Sequence, residues 1–113
     1  MKKVNWGIIG LGSIALQFAN GFKFSNSAKL LGIASKKLNK IKKFQTEFKI
    51  DKDYCFNDYE SLVENSDIDI IYIALPTSLH HEWICKCLER GKKVLVEKPA
   101  TMNFSEINNI KKK

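Results

Sequence analysis

Residues 4–15 read VNWGIIGLGSIA, a short apolar run that ends in closely spaced glycines and passes straight into a segment of helical spacing. From Ser13 to Phe22 the chain carries Ile14, Leu16, Phe18, Ala19 and Phe22 at intervals suited to a helix. The order is strand, tight turn, helix, with Gly10, Gly12 and Ala15 forming a G-x-G-x-x-A pattern at the junction. Each residue type has a physical reason to stand there. Gly10 permits the tight turn, Gly12 lets the backbone approach a pyrophosphate, and Ala15 allows close packing of helix on strand. The helix N-terminus then offers unpaired N–H groups and a partial positive charge to phosphates. Dinucleotide binding is the functional expectation, against a merely structural strand-to-helix turn.

The same alternation continues outward. AKLLGIAS (28–35) reads as a buried strand, and LNKIKKFQTEFK (38–49) as a helix with Leu38, Ile41, Phe44 and Phe48 on one stripe and lysines opposite. DYCF (53–56) is a short third strand, and Asn57 is placed to cap DYESLVEN (58–65), with Glu60 three residues on. IDIIYIAL (68–75) is the most apolar strand of the chain. A helix is expected from Leu79 to Arg90, stopped by Gly91, and KKVLVE (92–97) is a fifth strand. Asn103, with Glu106 three places on, opens a last amphipathic piece. Strands that are continuously apolar and separated by helix-length segments predict the α/β class, a doubly wound parallel sheet of about five strands covered on both faces.

Composition narrows the classes. The 113 residues suffice for one domain, 1–113, and 44% hydrophobic with 27% charged residues is the balance of a folded globular chain. The opening apolar run is broken by Asn5, Gly7, Gly10 and Gly12 and lacks a small-residue cleavage site, so it is not read as a signal peptide. No stretch approaches the roughly 18 apolar residues of a membrane helix, and a cytoplasmic location without membrane contact is expected. Cys55, Cys85 and Cys87 are expected as buried, reduced thiols. Cys85 and Cys87, two apart on a helix, cannot jointly grip a metal, nor can the adjacent His80 and His81, so no metal site is expected.

The net charge of +7 raises the question of a nucleic-acid partner. Lys40, Lys42 and Lys43 read instead as a solvated helix face, because Phe44 and Phe48 fall on the apolar stripe and not among the lysines. Lys36 and Lys37 are different. In dinucleotide folds an acid about 20 residues after the glycines bonds the ribose 2′-hydroxyl of NAD. Here that place reads IASKK (33–37), where Ser35 and Lys36 offer a hydroxyl and a positive charge to a 2′-phosphate. NADP is favoured over NAD.

ALPTSLHHEWICKCLERGKKVLVEKP (74–99) joins a strand end with Pro76-Thr77, His80 at a helix start, Gly91, and Glu97-Lys98-Pro99. With GIIGLGSIA (7–15) and DIDIIYIALPTSLHHE (67–82) in the same order and spacing, it resembles the Gfo/Idh/MocA family of oxidoreductases over nearly the whole chain. The resemblance implies a Rossmann-type dinucleotide-binding domain, which the family pairs with a C-terminal α/β domain that completes the substrate site. It further implies hydride transfer between NADP, or NAD, and a sugar- or polyol-type hydroxyl or carbonyl. Carried over, Gly10, Gly12, Ser13 and Ile14 resemble the phosphate turn, and Ser35 and Lys36 the ribose-phosphate contacts. Leu75, Pro76, Thr77 and His80 resemble the cofactor wall, although His80 is also read as a helix-start residue. Glu97 and Lys98 resemble the pair beside the nicotinamide, with Lys98 the catalytic candidate and Pro99 shaping the turn, often through a cis bond in the family. A cation near the substrate oxygen would stabilise its developing negative charge.

By the same resemblance, the family's proton-handling histidine lies in the second domain, and a sixth strand usually follows the fifth. The chain is read as lacking that domain, so a sugar or polyol partner is expected only if a second domain is supplied. Two expectations stand. One is the cofactor half of an oxidoreductase, binding dinucleotide without turnover by itself. The other is a stand-alone or vestigial, non-catalytic dinucleotide-binding module. Either leaves the fifth strand at a sheet edge, open to self-association.

Overall fold

The computed structural model describes residues 4–24 and 27–96. The first strand, β1 (Val4–Ile9), turns through Gly10–Gly12 into α1 (Ser13–Asn20); β2 (Ala28–Ala34) leads to α2 (Leu38–Phe48), and β3 (Cys55–Phe56) to α3 (Tyr59–Glu64). Then β4 (Ile70–Ile73) leads to α4 (Thr77–Glu89), and β5 (Lys93–Val96) follows. All pairings are parallel, in the order β3-β2-β1-β4-β5. Growth of the sheet therefore reverses at β1, with β2 on one side and β4 on the other. The carboxyl ends of β1 and β4 open a crevice at that switch point, where open α/β sheets hold their ligands.

The apolar runs are continuous because both faces are covered. Ile8, Ile33 and Tyr72 pack with Ala15 and Ala19 of α1 and Ile41 and Phe44 of α2. Ile9, Ala34, Ile71 and Ile73 point the other way, onto Leu62 and Val63 of α3 and Trp83, Ile84 and Cys87 of α4. Each fully buried Ile contributes about 1.5–3 kcal/mol relative to exposure. Phe18 stacks flat on Tyr72 with ring centroids 3.9 Å apart, which fixes α1 against β4.

Several boundaries differ from the sequence expectation, each for a local reason. The first helix ends at Asn20, and Gly21–Phe24 tightens into a 3₁₀ turn. The Asp51 carboxylate accepts from the Asp53 N–H at 2.9 Å and supports a 3₁₀ turn at Lys52–Tyr54, which leaves only Cys55–Phe56 as strand. The cap of α3 is Asp58, not Asn57: its carboxylate accepts from the Ser61 N–H at 2.7 Å and from the Ser61 hydroxyl at 2.9 Å. The fourth helix begins at Thr77, because Pro76 at its N-cap has a φ of −55° that suits helix entry. On α2 the buried stripe is Ile41 and Phe44, while Leu38 is exposed.

Lys92, expected within the fifth strand, precedes it. Its buried ammonium donates to the carbonyls of Ile68, at 2.7 Å, and Asn65. Of the three thiols only Cys87 is fully buried; Cys55 and Cys85 are half-buried. Among the described residues no helix is long and apolar enough to cross a membrane, and no three His, Cys, Asp or Glu side chains gather as a metal site. Glu97, Lys98, Pro99 and the piece expected from Asn103 lie outside the described residues.

Candidate functional site

The β1–α1 turn is built by two glycines with different tasks. Gly10 has φ +87°, a conformation that L side chains rarely adopt, and a Cβ there would stand 2.5 Å from the Ala74 carbonyl oxygen. This position brings the turn against the β4–α4 loop. Gly12 has an extended backbone, φ −97°, and among the described residues a Cβ there would meet nothing within 4 Å. Its missing side chain thus leaves open space above the helix entrance and relieves no clash with the described residues.

Gly12 is the N-cap of α1, yet among the described residues no side chain caps this end, and no acid lies in the first turn. The first intrahelical bond runs from Leu16 N–H to the Gly12 carbonyl at 3.1 Å. The N–H groups before Leu16 belong to the set a helix leaves unpaired at its start. The residues that carry them border a cleft of about 440 Å³ whose lining includes Gly12, Ser13, Ile14, Leu75, Pro76 and His80. Ala15, Ile73, Ala74 and Thr77 complete it. Ile14 is 52% exposed, an apolar side chain at the helix mouth that offers a wall for a flat ring or a sugar face.

His80 faces this cleft from the first turn of α4 while being 5% exposed. Its Nε2 lies 2.6 Å from the Leu75 carbonyl. A carbonyl oxygen can only accept, so Nε2 carries a proton, and in the neutral ring Nδ1 is then the acceptor. That Nδ1 is buried and has no hydrogen-bond partner among the described residues. A buried acceptor left without a donor costs about 1–3 kcal/mol, so a ligand hydroxyl or amide reaching it would be favoured.

The tip of β2 stands one strand over, joined to the glycine turn by the bond from Gly10 N–H to the Ala34 carbonyl at 2.9 Å. Ser35 is buried, and its hydroxyl accepts from the Lys37 N–H at 3.1 Å, leaving the hydroxyl hydrogen to donate. Lys36 and Lys37 are exposed. The Lys36 ammonium lies 5.4 Å from the centre of the Tyr59 ring. The structure therefore gathers Gly12, Ser13, Ile14, Leu75, Pro76, Thr77 and His80 in one cleft and sets Ser35 and Lys36 beside it, not in its lining. Glu97 and Lys98 are beyond the described residues.

Two contributors escape a sequence reading. Asn57 turns its amide onto the Ser35 carbonyl at 3.0 Å, and Tyr59 supplies the ring beneath Lys36. Asn57 lies in the β3–α3 connection and Tyr59 opens α3, so both come near the β2 tip only once the chain is folded. A separate hollow of about 390 Å³ between α3 and α4 has two ion pairs in its lining, Lys86 with Glu60 and Arg90 with Glu64.

The chain matches the family model GFO_IDH_MocA, described as the oxidoreductase family with an NAD-binding Rossmann fold, over residues 4–113. It is 32% identical over 107 residues to trans-1,2-dihydrobenzene-1,2-diol dehydrogenase of Xenopus tropicalis, covering 93% of this chain and 32% of that protein. It is 35% identical over 96 residues to dTDP-3,4-didehydro-2,6-dideoxy-alpha-D-glucose 3-reductase of Actinomadura kijaniata, covering 84% of this chain and 28% of that protein. Among solved structures, a 3-ketoreductase from Actinomadura kijaniata in complex with NADP and TDP-benzene superposes with a TM-score of 0.87 at 29% identity, over 98% of this chain and 34% of that one. Apo scyllo-inositol dehydrogenase from Lactobacillus casei gives 0.83 at 27% identity, over 98% of this chain and 32% of that one. The chain spans about a third of the length of the curated relatives it matches.

Proposed function

The chain belongs to the Gfo/Idh/MocA family of oxidoreductases, and from that premise we propose that it is the family's NAD(P)-binding domain, takes NADP in preference to NAD, and serves hydride transfer at a sugar- or polyol-type hydroxyl or carbonyl. The observation that carries this reading is the open space at Gly12, set over an uncapped helix entrance. It fits a pyrophosphate by shape and by charge.

The roles follow from residue chemistry. The backbone N–H groups at Gly12, Ser13 and Ile14 hold the pyrophosphate. The Ser35 hydroxyl and the Lys36 ammonium hold the 2′-phosphate, a charge-assisted contact worth roughly 1.5–3 kcal/mol, about ten- to a hundredfold in affinity. Leu75, Pro76 and Thr77 form a wall, and His80 Nδ1 accepts from a polar hydrogen of the ligand. The bound nicotinamide supplies the carbon that takes or gives the hydride. Lys98, with Glu97 beside it, stabilises negative charge on the substrate oxygen. The relatives named for a dihydrodiol, a didehydro-dideoxyglucose and scyllo-inositol support the hydroxyl or carbonyl assignment.

The test is a fluorescence titration of the 113-residue chain with NADPH and NADH, repeated on Gly12→Val and followed by a turnover assay with polyols. Saturable binding that favours NADPH and disappears in the variant is expected; absence of saturable binding by the unaltered chain overturns the reading. Turnover separates a catalytic chain from the alternative, a non-catalytic dinucleotide-binding module. The outer edge of β5, where Leu95 is 41% exposed, is where we place pairing with a second copy. Leu95→Lys should then lower the mass measured by light scattering, and a mass equal to the monomer before substitution removes that pairing.

A further inference from the structure

The tip of β2 is held by three hydrogen bonds at Ser35. The Ser35 N–H donates to the Phe56 carbonyl at 3.1 Å, the Asn57 side-chain amide donates to the Ser35 carbonyl at 3.0 Å, and the Lys37 N–H donates to the Ser35 hydroxyl at 3.1 Å. Two of these bonds come from consecutive residues at the end of β3. Both backbone polar groups of Ser35 are thereby occupied from the β3 side, so the tip from which Lys36 leaves is braced by β3 as well as by its own segment.

The Lys36 side chain then lies with its ammonium 5.4 Å from the centre of the Tyr59 ring, within the range of a cation–π contact. The ring is itself anchored: it stands edge-on to Trp83, centroids 5.3 Å apart at 89°, and Trp83 is part of the core under α4. Among the described residues Lys36 makes no ion pair. This distinction matters chemically. A carboxylate partner would orient the ammonium but cancel its charge, whereas an aromatic face orients it and leaves the charge for an anion. A long flexible cation that is already oriented also loses less side-chain entropy when it meets its ligand.

We infer that Asn57 and Tyr59 are positioning residues for coenzyme selection, holding the β2 tip and the Lys36 side chain ready for the 2′-phosphate. The inference rests on the reading of this chain as an NADP-preferring domain. Neither residue touches the coenzyme in this account; both act through Ser35 and Lys36. Their loss should change the preference between coenzymes and not the affinity for the part the coenzymes share.

The test measures dissociation constants for NADPH and NADH on the full chain and on Asn57→Ala, Tyr59→Leu and Tyr59→Phe, with a thermal melt of each. Asn57→Ala and Tyr59→Leu should each weaken NADPH about two- to fivefold, the scale of an exposed cation–π contact, with NADH unchanged. Tyr59→Phe keeps the ring and should keep the wild-type ratio. A lowered melting temperature with an unchanged NADPH-to-NADH ratio in both Asn57→Ala and Tyr59→Leu marks a merely structural role and overturns the inference, while dinucleotide binding stands. Wild-type chain that shows no preference, or binds neither coenzyme, removes the underlying reading and the inference with it.

Discussion

The Nε2–H of His80 donates to the Leu75 carbonyl at 2.6 Å, so a side chain in the first turn of α4 closes the loop from which that helix springs. The bond fixes the tautomer and holds the wall of the cleft opposite the glycine turn. His80→Phe preserves ring bulk but removes the donor, leaving the Leu75 carbonyl without it. A loss of about 1–3 kcal/mol in denaturant unfolding is expected, the cost of an unsatisfied buried group. Unfolding at the wild-type midpoint would show that the bond contributes nothing.

The glycine pair offers a separation of fold from ligand. Gly10→Ala places a side chain at φ +87° and 2.5 Å from the Ala74 carbonyl oxygen, so the chain should lose more than about 2 kcal/mol of stability. Gly12→Ala and Gly12→Val meet an ordinary extended backbone and open space. They should melt within about 0.5 kcal/mol of wild type, as substitutions away from strained or packed features do, while NADPH binding falls at least tenfold. The opposite pattern, a stable Gly10→Ala and an unfolded Gly12→Val, contradicts the assignment of the two positions.

These two glycines also mark where sequence reasoning succeeds. Strand, turn and helix around Gly10 and Gly12 were legible because apolar runs, glycines and helical spacing are local signals, and the uninterrupted apolar character of residues 70–73 revealed a strand buried on both faces. The candidate cleft was legible only through motif spacing in two distant segments. Asn57 shows the limit. Its place before a helix suggests a cap, but its amide reaches Ser35, 22 residues away, and the neighbouring Asp58 takes the cap. Lys92 is a similar case, since a lysine beside a strand reads as solvated until the α3–β4 loop presents two carbonyls to it. Such contacts depend on which strands become neighbours, which no window of sequence contains.

Lys49 closes α2 in the left-handed region, φ 55° and ψ 49°, the single non-glycine residue with positive φ among the described residues. A glycine is the usual occupant of such a helix end. Lys49→Gly should therefore stabilise the chain by about 0.5–1 kcal/mol, allowing for the greater entropy glycine has when unfolded. Calorimetry should show a melting temperature higher by a few degrees, with NADPH affinity unaltered. A lower melting temperature would mean that the lysine stem packs well enough to outweigh its backbone strain.

Cys87 predicts the alkaline limit of stability. Burial pushes its thiol from 9.0 up to about 12, partly opposed by the Lys92 ammonium. In the unfolded chain the thiol ionises near its ordinary value, so between these two points the folded state holds the proton that the unfolded state has released. Stability from this group is complete below pH 9 and declines as pH rises toward 12, with a slope of about 1.4 kcal/mol per pH unit. Cys55, Tyr54 and Tyr59 are also raised, by burial or by the Asp67 hydrogen bond to Tyr54, and act in the same direction. Cys87→Ala should consequently make the alkaline decline shallower without abolishing it, while below pH 8 the two curves run parallel, offset by the lost sulfur packing. Denaturant midpoints measured from pH 7 to 11 decide the matter. Equal alkaline slopes would mean that the Cys87 thiolate is tolerated inside the fold, and a buried sulfur against β4 and α4 would then have to be hydrated.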